Sequence, residues 1–179
     1  MMKKFVVFTM ALLLSACSTP SQQPDSAGTP ISSKSSSSQP TSQRISSDIS
    51  LIDLETGKSL KFADISKPVV VTFWASWCTT CRQEFELWRD PALAENVIGL
   101  NIQDASGSSK LRVDAYNLMK NNKTAFPSYA DAADVLTSQL GIVGLPVTIV
   151  IASNGSVLKR HDGVMTKQDM LSFIAMTKD

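Results

Sequence analysis

Three cysteines, one glutamate and one histidine are the residues whose types and spacing could do chemistry in this 179-residue chain. Cys78 and Cys81 stand two residues apart in Phe73-Trp74-Ala75-Ser76-Trp77-Cys78-Thr79-Thr80-Cys81. Two thiols at that spacing close a small-loop disulfide when the second sits one turn into a helix. The first then lies at the helix N-terminus, where unpaired backbone N–H groups and the macrodipole stabilise a thiolate. Thiolates attack disulfides, so the pattern predicts a redox site and not a staple. The same placement predicts an exposed Cys78 and a covered Cys81.

Glu84 follows Cys81 by three residues, and positions i and i+3 share a helix face. Its carboxylate either lies near the dithiol, where burial would raise its pKa and suit it to acid–base work, or is a solvated first-turn glutamate. His161, the only histidine, falls at the outer end of a predicted hairpin strand and reads as a surface residue. No His/Cys cluster has metal-ligand spacing, so the expected redox group is the Cys78–Cys81 disulfide itself, with no metal and no cofactor. Three cysteines are too few for a disulfide scaffold.

The elements that must position these residues follow in chain order. Residues 49–54 alternate apolar and polar, Thr56-Gly57 marks a turn, and residues 58–62 continue as a second short strand ending at Ile65-Ser66-Lys67-Pro68. Residues 69–74 are unbroken apolar and β-branched, as expected of a central strand buried on both faces. Phe85, Leu87 and Trp88 supply apolar positions to a helix that should end near Asp90-Pro91, where Pro91 opens a second short turn. Residues 97–102 form a strand, and Leu111, Ala115, Leu118 and Met119 share one helical face. Residues 126–129 are a short strand or extended link, and 132–140 a helix ended by Gly141. Residues 147–152 and 156–161 pair across an Asn154-Gly155 turn. Thr166 caps a closing helix with Met170, Leu171, Ile174 and Ala175 inward. A βαβ half followed by a ββα half predicts an α/β fold, with a central mixed β-sheet flanked by helices on both faces and an N-terminal β-hairpin extension.

Residues 1–17 have the makeup of an export leader. Lys3 and Lys4 start it, and residues 5–14 are an apolar run interrupted only by Thr9. As a helix this run rises only ~15 Å, half of a bilayer core, so it predicts no transmembrane span. It ends in Leu14-Ser15-Ala16-Cys17, which resembles the bacterial lipobox, so Cys17 is expected to be lipidated and to become the mature N-terminus. Acyl chains there would hold the protein at a membrane with about 0.8 kcal/mol per buried CH₂. Residues 18–47 are mostly Ser, Thr, Gln and Pro, with too little apolar surface to offset their ordering entropy. They predict a disordered tether spanning roughly 30 Å root-mean-square, and residues 48–179 the folded domain. With 17 basic and 16 acidic residues, and Lys3 and Lys4 leaving with the leader, the mature chain is near neutral. Nothing in that balance points to a nucleic-acid partner or a polybasic membrane face.

Residues 48–179 resemble the thioredoxin superfamily, and within it the membrane-tethered TlpA/ResA-like branch. Two segments carry the resemblance: Val71-Thr72-Phe73-Trp74-Ala75-Ser76-Trp77-Cys78-Thr79-Thr80-Cys81-Arg82-Gln83-Glu84 and Gly144-Leu145-Pro146-Val147-Thr148. It implies a thioredoxin-like fold with Cys78 as attacking thiol and Cys81 as resolving thiol. It also implies a cis Pro146 facing the disulfide, with the Leu145 backbone presented to substrate. Trp74 and Trp77 resemble the aromatic pair flanking the site, Trp74 supporting the core and Trp77 forming the mouth. Glu84 matches a glutamate of this branch that moves protons between the thiols. Two positions depart from the pattern. Thr72 stands where cytosolic thioredoxins have a buried aspartate, which shifts proton handling to Glu84 or water. Glu86 stands where relatives have a helix-kinking proline, which predicts a straighter helix.

The function implied is that of an extracytoplasmic, lipid-anchored thiol–disulfide oxidoreductase at the outer face of the cell membrane. Reduction potentials of such sites run from about −270 mV for thioredoxin to about −120 mV for a strong oxidant. Thr79-Thr80 lacks the histidine found in strongly oxidising sites, which favours a reductase. Expected partners are exported proteins with disulfides, of the apocytochrome c or methionine sulfoxide reductase type, and a CcdA/DsbD-like membrane electron donor. The alternatives are a disulfide-forming oxidase of the same fold and, further off, a non-catalytic apo-protein or copper-binding module. Ser18 is not the retention aspartate of inner-membrane lipoproteins, so in a two-membrane host the outer membrane is the alternative location.

Overall fold

The computed structural model describes residues 44–102, 109–131 and 133–178. Cys17 and residues 18–43 of the predicted tether lie outside the described residues. The strands are β1 (Ser50–Asp53), β2 (Ser59–Lys61), β3 (Val69–Trp74), β4 (Val97–Asn101), β5 (Ser128–Ala130), β6 (Val147–Ile151) and β7 (Val157–Asp162). The helices are α1 (Cys81–Glu84), α2 (Ser109–Asn121), α3 (Val135–Gln139) and α4 (Lys167–Ala175). All seven strands join one sheet in the order β2-β1-β5-β4-β3-β6-β7. β3 and β4 pair parallel, as do β4 and β5, while β6 runs antiparallel to both β3 and β7. The β1–β2 hairpin is the predicted N-terminal extension, joined antiparallel to β5.

β3 carries the site because all six of its residues are buried. Successive side chains leave opposite faces of a strand. Val70 and Trp74 therefore enter a core with Trp88, Phe126 and Phe173, while Val69, Val71 and Phe73 enter a second with Leu100, Leu136 and Ile149. Between them Thr72 accepts a bond from the Thr148 hydroxyl at 3.3 Å, so the position that departs from the thioredoxin pattern is a neutral, buried hydroxyl pair.

Several expectations need correction. The helix after the dithiol is not straight: α1 stops at Glu84 and Leu87–Arg89 is a separate 3₁₀ turn. No proline breaks it. Phe85 and Asp90 N–H groups bond to carbonyls three residues back, at Arg82 and Leu87. That tighter winding accompanies the burial of Phe85 and Trp88, which make edge-on contacts with Trp74 (5.4 Å) and Phe126 (4.9 Å). The path still ends at Asp90, whose side chain accepts the Ala92 N–H and caps the turn Pro91–Leu93. In α4 the inward stripe is Met170, Phe173 and Ile174, while Leu171 and Ala175 face outward. Arg44 and Ile45, counted with the tether on composition, join the fold through a bridge to Ser156 and a bond to the Gly155 carbonyl.

Candidate active site

β3 ends at Trp74 and releases the chain into a turn locked at both sides. Cys78 N–H donates to the Ala75 carbonyl at 3.1 Å, and Arg82 Nη2 donates to the Ser76 carbonyl at 2.7 Å. Cys78 and Cys81 form a disulfide with Cα atoms 5.3 Å apart. Cys81 N–H donates to Cys78 Sγ at 3.1 Å, and Thr80 Oγ1 lies 3.3 Å from the same sulfur. A helix of four residues has little macrodipole, so what remains of the predicted thiolate stabilisation is local: one N–H and one hydroxyl directed at Cys78.

Cys78 is not exposed as expected; it is 4% accessible against 1% for Cys81. Its sulfur is tied to Cys81 and flanked by the Thr80 hydroxyl, which also reaches the Leu145 carbonyl at 3.5 Å. Burial does not separate the two sulfurs. Hydrogen bonding does. Of the two tryptophans of the motif, Trp77 is exposed, at 64%, whereas Trp74 is enclosed. Trp74 Nε1–H donates to Ser128 Oγ at 3.0 Å. Gly99 makes room for that indole: a Cβ there would come within 2.6 Å of Ser128 Oγ and 2.9 Å of Trp74 Nε1.

The Leu145–Pro146 peptide is cis, with Leu145 half-buried and Pro146 buried. Lys67–Pro68, at the other end of β3, is also cis and was not anticipated from the sequence. Gly163 N–H donates to the Pro146 carbonyl at 2.9 Å and so fastens the β7–α4 connection beside the site.

Glu84 takes the buried branch of its two expected placements, at 1% accessibility. Burial pushes its carboxyl up to about 7, partly offset by hydrogen bonds from the Met165 N–H and the Trp88 side chain. The Met165 bond is 2.7 Å. His161 is partly exposed, with Nε2 3.3 Å from the Val164 carbonyl. The dithiol turn thus reaches Leu145 through the Thr80 hydroxyl, while Glu84 and Pro146 are both hydrogen-bonded to the segment 163–165. Sequence reasoning missed the contacts of Thr80, Arg82 and residues 163–165, which bring a hydroxyl, a guanidinium and backbone atoms but no catalytic signature.

The Redoxin family profile matches residues 36–174 of this chain. The thiol-disulfide oxidoreductase ResA of Geobacillus thermodenitrificans is 30% identical over 133 residues, covering 73% of this chain and 75% of that protein. Among solved structures, a putative thiol:disulfide interchange protein DsbE from Chlorobium tepidum superposes with a TM-score of 0.59 at 26% identity, covering 76% of this chain and 98% of that one. The pneumococcal exposed lipoprotein thioredoxin Etrx1 from Streptococcus pneumoniae superposes with a TM-score of 0.57 at 25% identity, covering 72% and 98%. The chain belongs to the Redoxin family, in the TlpA/ResA-like part of the thioredoxin superfamily, and is a thiol–disulfide oxidoreductase.

Proposed function

We propose that the protein is a lipid-anchored reductase of disulfides in exported proteins, with Cys78 as attacking thiol and Cys81 as resolving thiol. One observation carries the assignment: the Cys81 N–H and the Thr80 hydroxyl both face Cys78 Sγ, at 3.1 and 3.3 Å. In the reduced protein these donors favour the thiolate at Cys78. That thiolate attacks one sulfur of the substrate disulfide, forms a mixed disulfide and releases the other sulfur as a thiol. Cys81 then attacks Cys78 Sγ, frees the second substrate thiol and leaves the Cys78–Cys81 disulfide. Two electrons and two protons pass to the substrate. A membrane dithiol donor of the CcdA/DsbD type restores the reduced pair.

Glu84 is the proton relay in this scheme. It shares the first helical turn with Cys81 and has a carboxyl poised near 7, so it can take up and return the thiol proton. Trp77, Leu145 and Pro146 form the substrate-facing surface. The neutral Thr79-Thr80 pair favours reduction over oxidation. Leu14-Ser15-Ala16-Cys17 supports an anchor at Cys17 on the outer face of the cell membrane, and Etrx1 is itself named an exposed lipoprotein. Insulin reduction tests the reading. The wild type turns insulin over with dithiothreitol as donor, and Cys78→Ser does not. Equal rates for the two would remove the enzyme assignment.

A further inference from the structure

Thr80 stands at the N-cap of α1, where a threonine hydroxyl ordinarily accepts a backbone N–H of the first turn, yet its side chain caps nothing. The hydroxyl reaches across the site instead. Oγ1 lies 3.3 Å from Cys78 Sγ and donates to the Leu145 carbonyl at 3.5 Å. Among the described residues no other donor reaches that carbonyl. Thr80 itself is exposed, and Leu145 is half-buried. A hydroxyl carries one proton, so it fully serves only one of these two acceptors at a time.

Which acceptor wins depends on the charge of the sulfur. In the disulfide Cys78 Sγ is neutral and a weak acceptor, and the proton goes to the carbonyl. A dithiol that reduces the pair delivers two electrons and two protons. Cys81 keeps one proton, and Cys78 releases the other to water as it ionises. The thiolate is then a charged acceptor, and hydrogen bonds to ionised groups are roughly twice as strong as neutral ones. We propose that Thr80 is a redox-driven switch whose hydroxyl donates to Leu145 in the oxidised protein and to Cys78 in the reduced one. Reduction thereby frees the Leu145 carbonyl to accept a backbone N–H from an incoming polypeptide. A substrate cysteine joined to Cys78 brings such an N–H with it, separated from its sulfur only by Cα and Cβ. Once Cys81 has resolved the mixed disulfide the thiolate is gone, the hydroxyl returns to Leu145, and the product chain loses its acceptor. The inference rests on the reductase reading and adds why the spent enzyme lets go. The ligand it names is an extended polypeptide held by a main-chain hydrogen bond.

The test uses the full-length protein in detergent, isotope-labelled at the leucine carbonyl carbons, as wild type, Thr80→Ser and Thr80→Val. A hydrogen-bonded carbonyl carbon resonates downfield of one without a donor. In the oxidised proteins the Leu145 signal of the wild type and Thr80→Ser lies downfield of that in Thr80→Val. Under dithiothreitol the three coincide. An offset of the same size in both redox states, or none in either, would overturn the switch. Insulin B chain with its cysteines carboxamidomethylated then serves as a polypeptide that binds without exchanging thiols. Wild type and Thr80→Ser bind it about fivefold more tightly when reduced than when oxidised, as one net hydrogen bond predicts. In Thr80→Val, whose carbonyl is free in both states, the ratio falls to about one. A wild type that binds the chain alike in both states, or not at all, would overturn the proposal, as would a ratio that survives in Thr80→Val. A reduced wild type inert toward intact insulin would instead sink the reductase reading, and the Leu145 signal would still decide whether the hydroxyl changes partner.

Discussion

Glu84→Gln removes one buried ionisable group from the helix that begins at Cys81 while leaving an oxygen for the Met165 N–H, now 2.7 Å from Oε1. Burial is the largest influence on this carboxyl and raises it from 4.5 to about 7. Between those two values the folded protein holds a proton that the unfolded chain has released. Stability changes with pH in proportion to the protons bound in the unfolded state minus those bound in the folded state. That difference is negative here. The contribution is therefore fully present below pH 4.5 and is lost as pH rises through about 7. At about 1.4 kcal/mol per pH unit the interval amounts to about 3 kcal/mol. Urea unfolding of the oxidised wild type and Glu84→Gln, run from about pH 4 to about pH 8, isolates this contribution. Asp162 and Asp169, whose carboxyls are held low by hydrogen bonds from Arg160 and Thr166 respectively, titrate alike in both proteins and cancel in the difference. The wild type is expected to lose about 3 kcal/mol more than the variant across the range. Parallel curves would refute the claim that Glu84 is buried and holds its proton up to about pH 7.

Gly99→Ala should destabilise by about 1–3 kcal/mol, because its Cβ would crowd Ser128 Oγ, Phe126 and Trp74 at 2.6 to 2.9 Å. Thermal unfolding checks this, and an unchanged midpoint would show that the Trp74 indole has slack. Thr80→Val removes the hydroxyl 3.3 Å from Cys78 Sγ, so alkylation of reduced Cys78 by iodoacetamide at neutral pH should slow about fivefold. An unchanged alkylation rate would show that this hydroxyl does not support the thiolate.

What the sequence discloses about this fold and what it hides have physical reasons. β3 was legible to the residue because a strand buried on both faces has no polar alternation to blur its ends. Thr166 was legible because a capping box is local: Asp169 N–H donates to the Thr166 hydroxyl, and Thr166 N–H donates back to the Asp169 carboxylate. The dithiol was legible from its spacing and its place after that strand. The break after Glu84 was not, because no proline marks it and it goes with the packing of Trp88 on the distant Phe126. The α4 stripe was displaced by one position because Leu171 is as apolar as Phe173, and only the sheet decides which of them is covered. Ile45 was hidden by the serines around it, although its side chain packs into the core. The hold of Glu84 on Met165 spans 81 residues, and no local pattern announces it.

The account turns on Cys78 being the sulfur that attacks. Reduced Cys81→Ala protein, incubated with oxidised insulin and quenched with acid, tests this most directly, because the first step proceeds and the resolving thiol is absent. Mass spectrometry of the peptides should find Cys78 joined to an insulin cysteine, and the parallel Cys78→Ala protein should yield far less adduct at Cys81. Equal or greater adduct at Cys81 would contradict the assignment of the nucleophile.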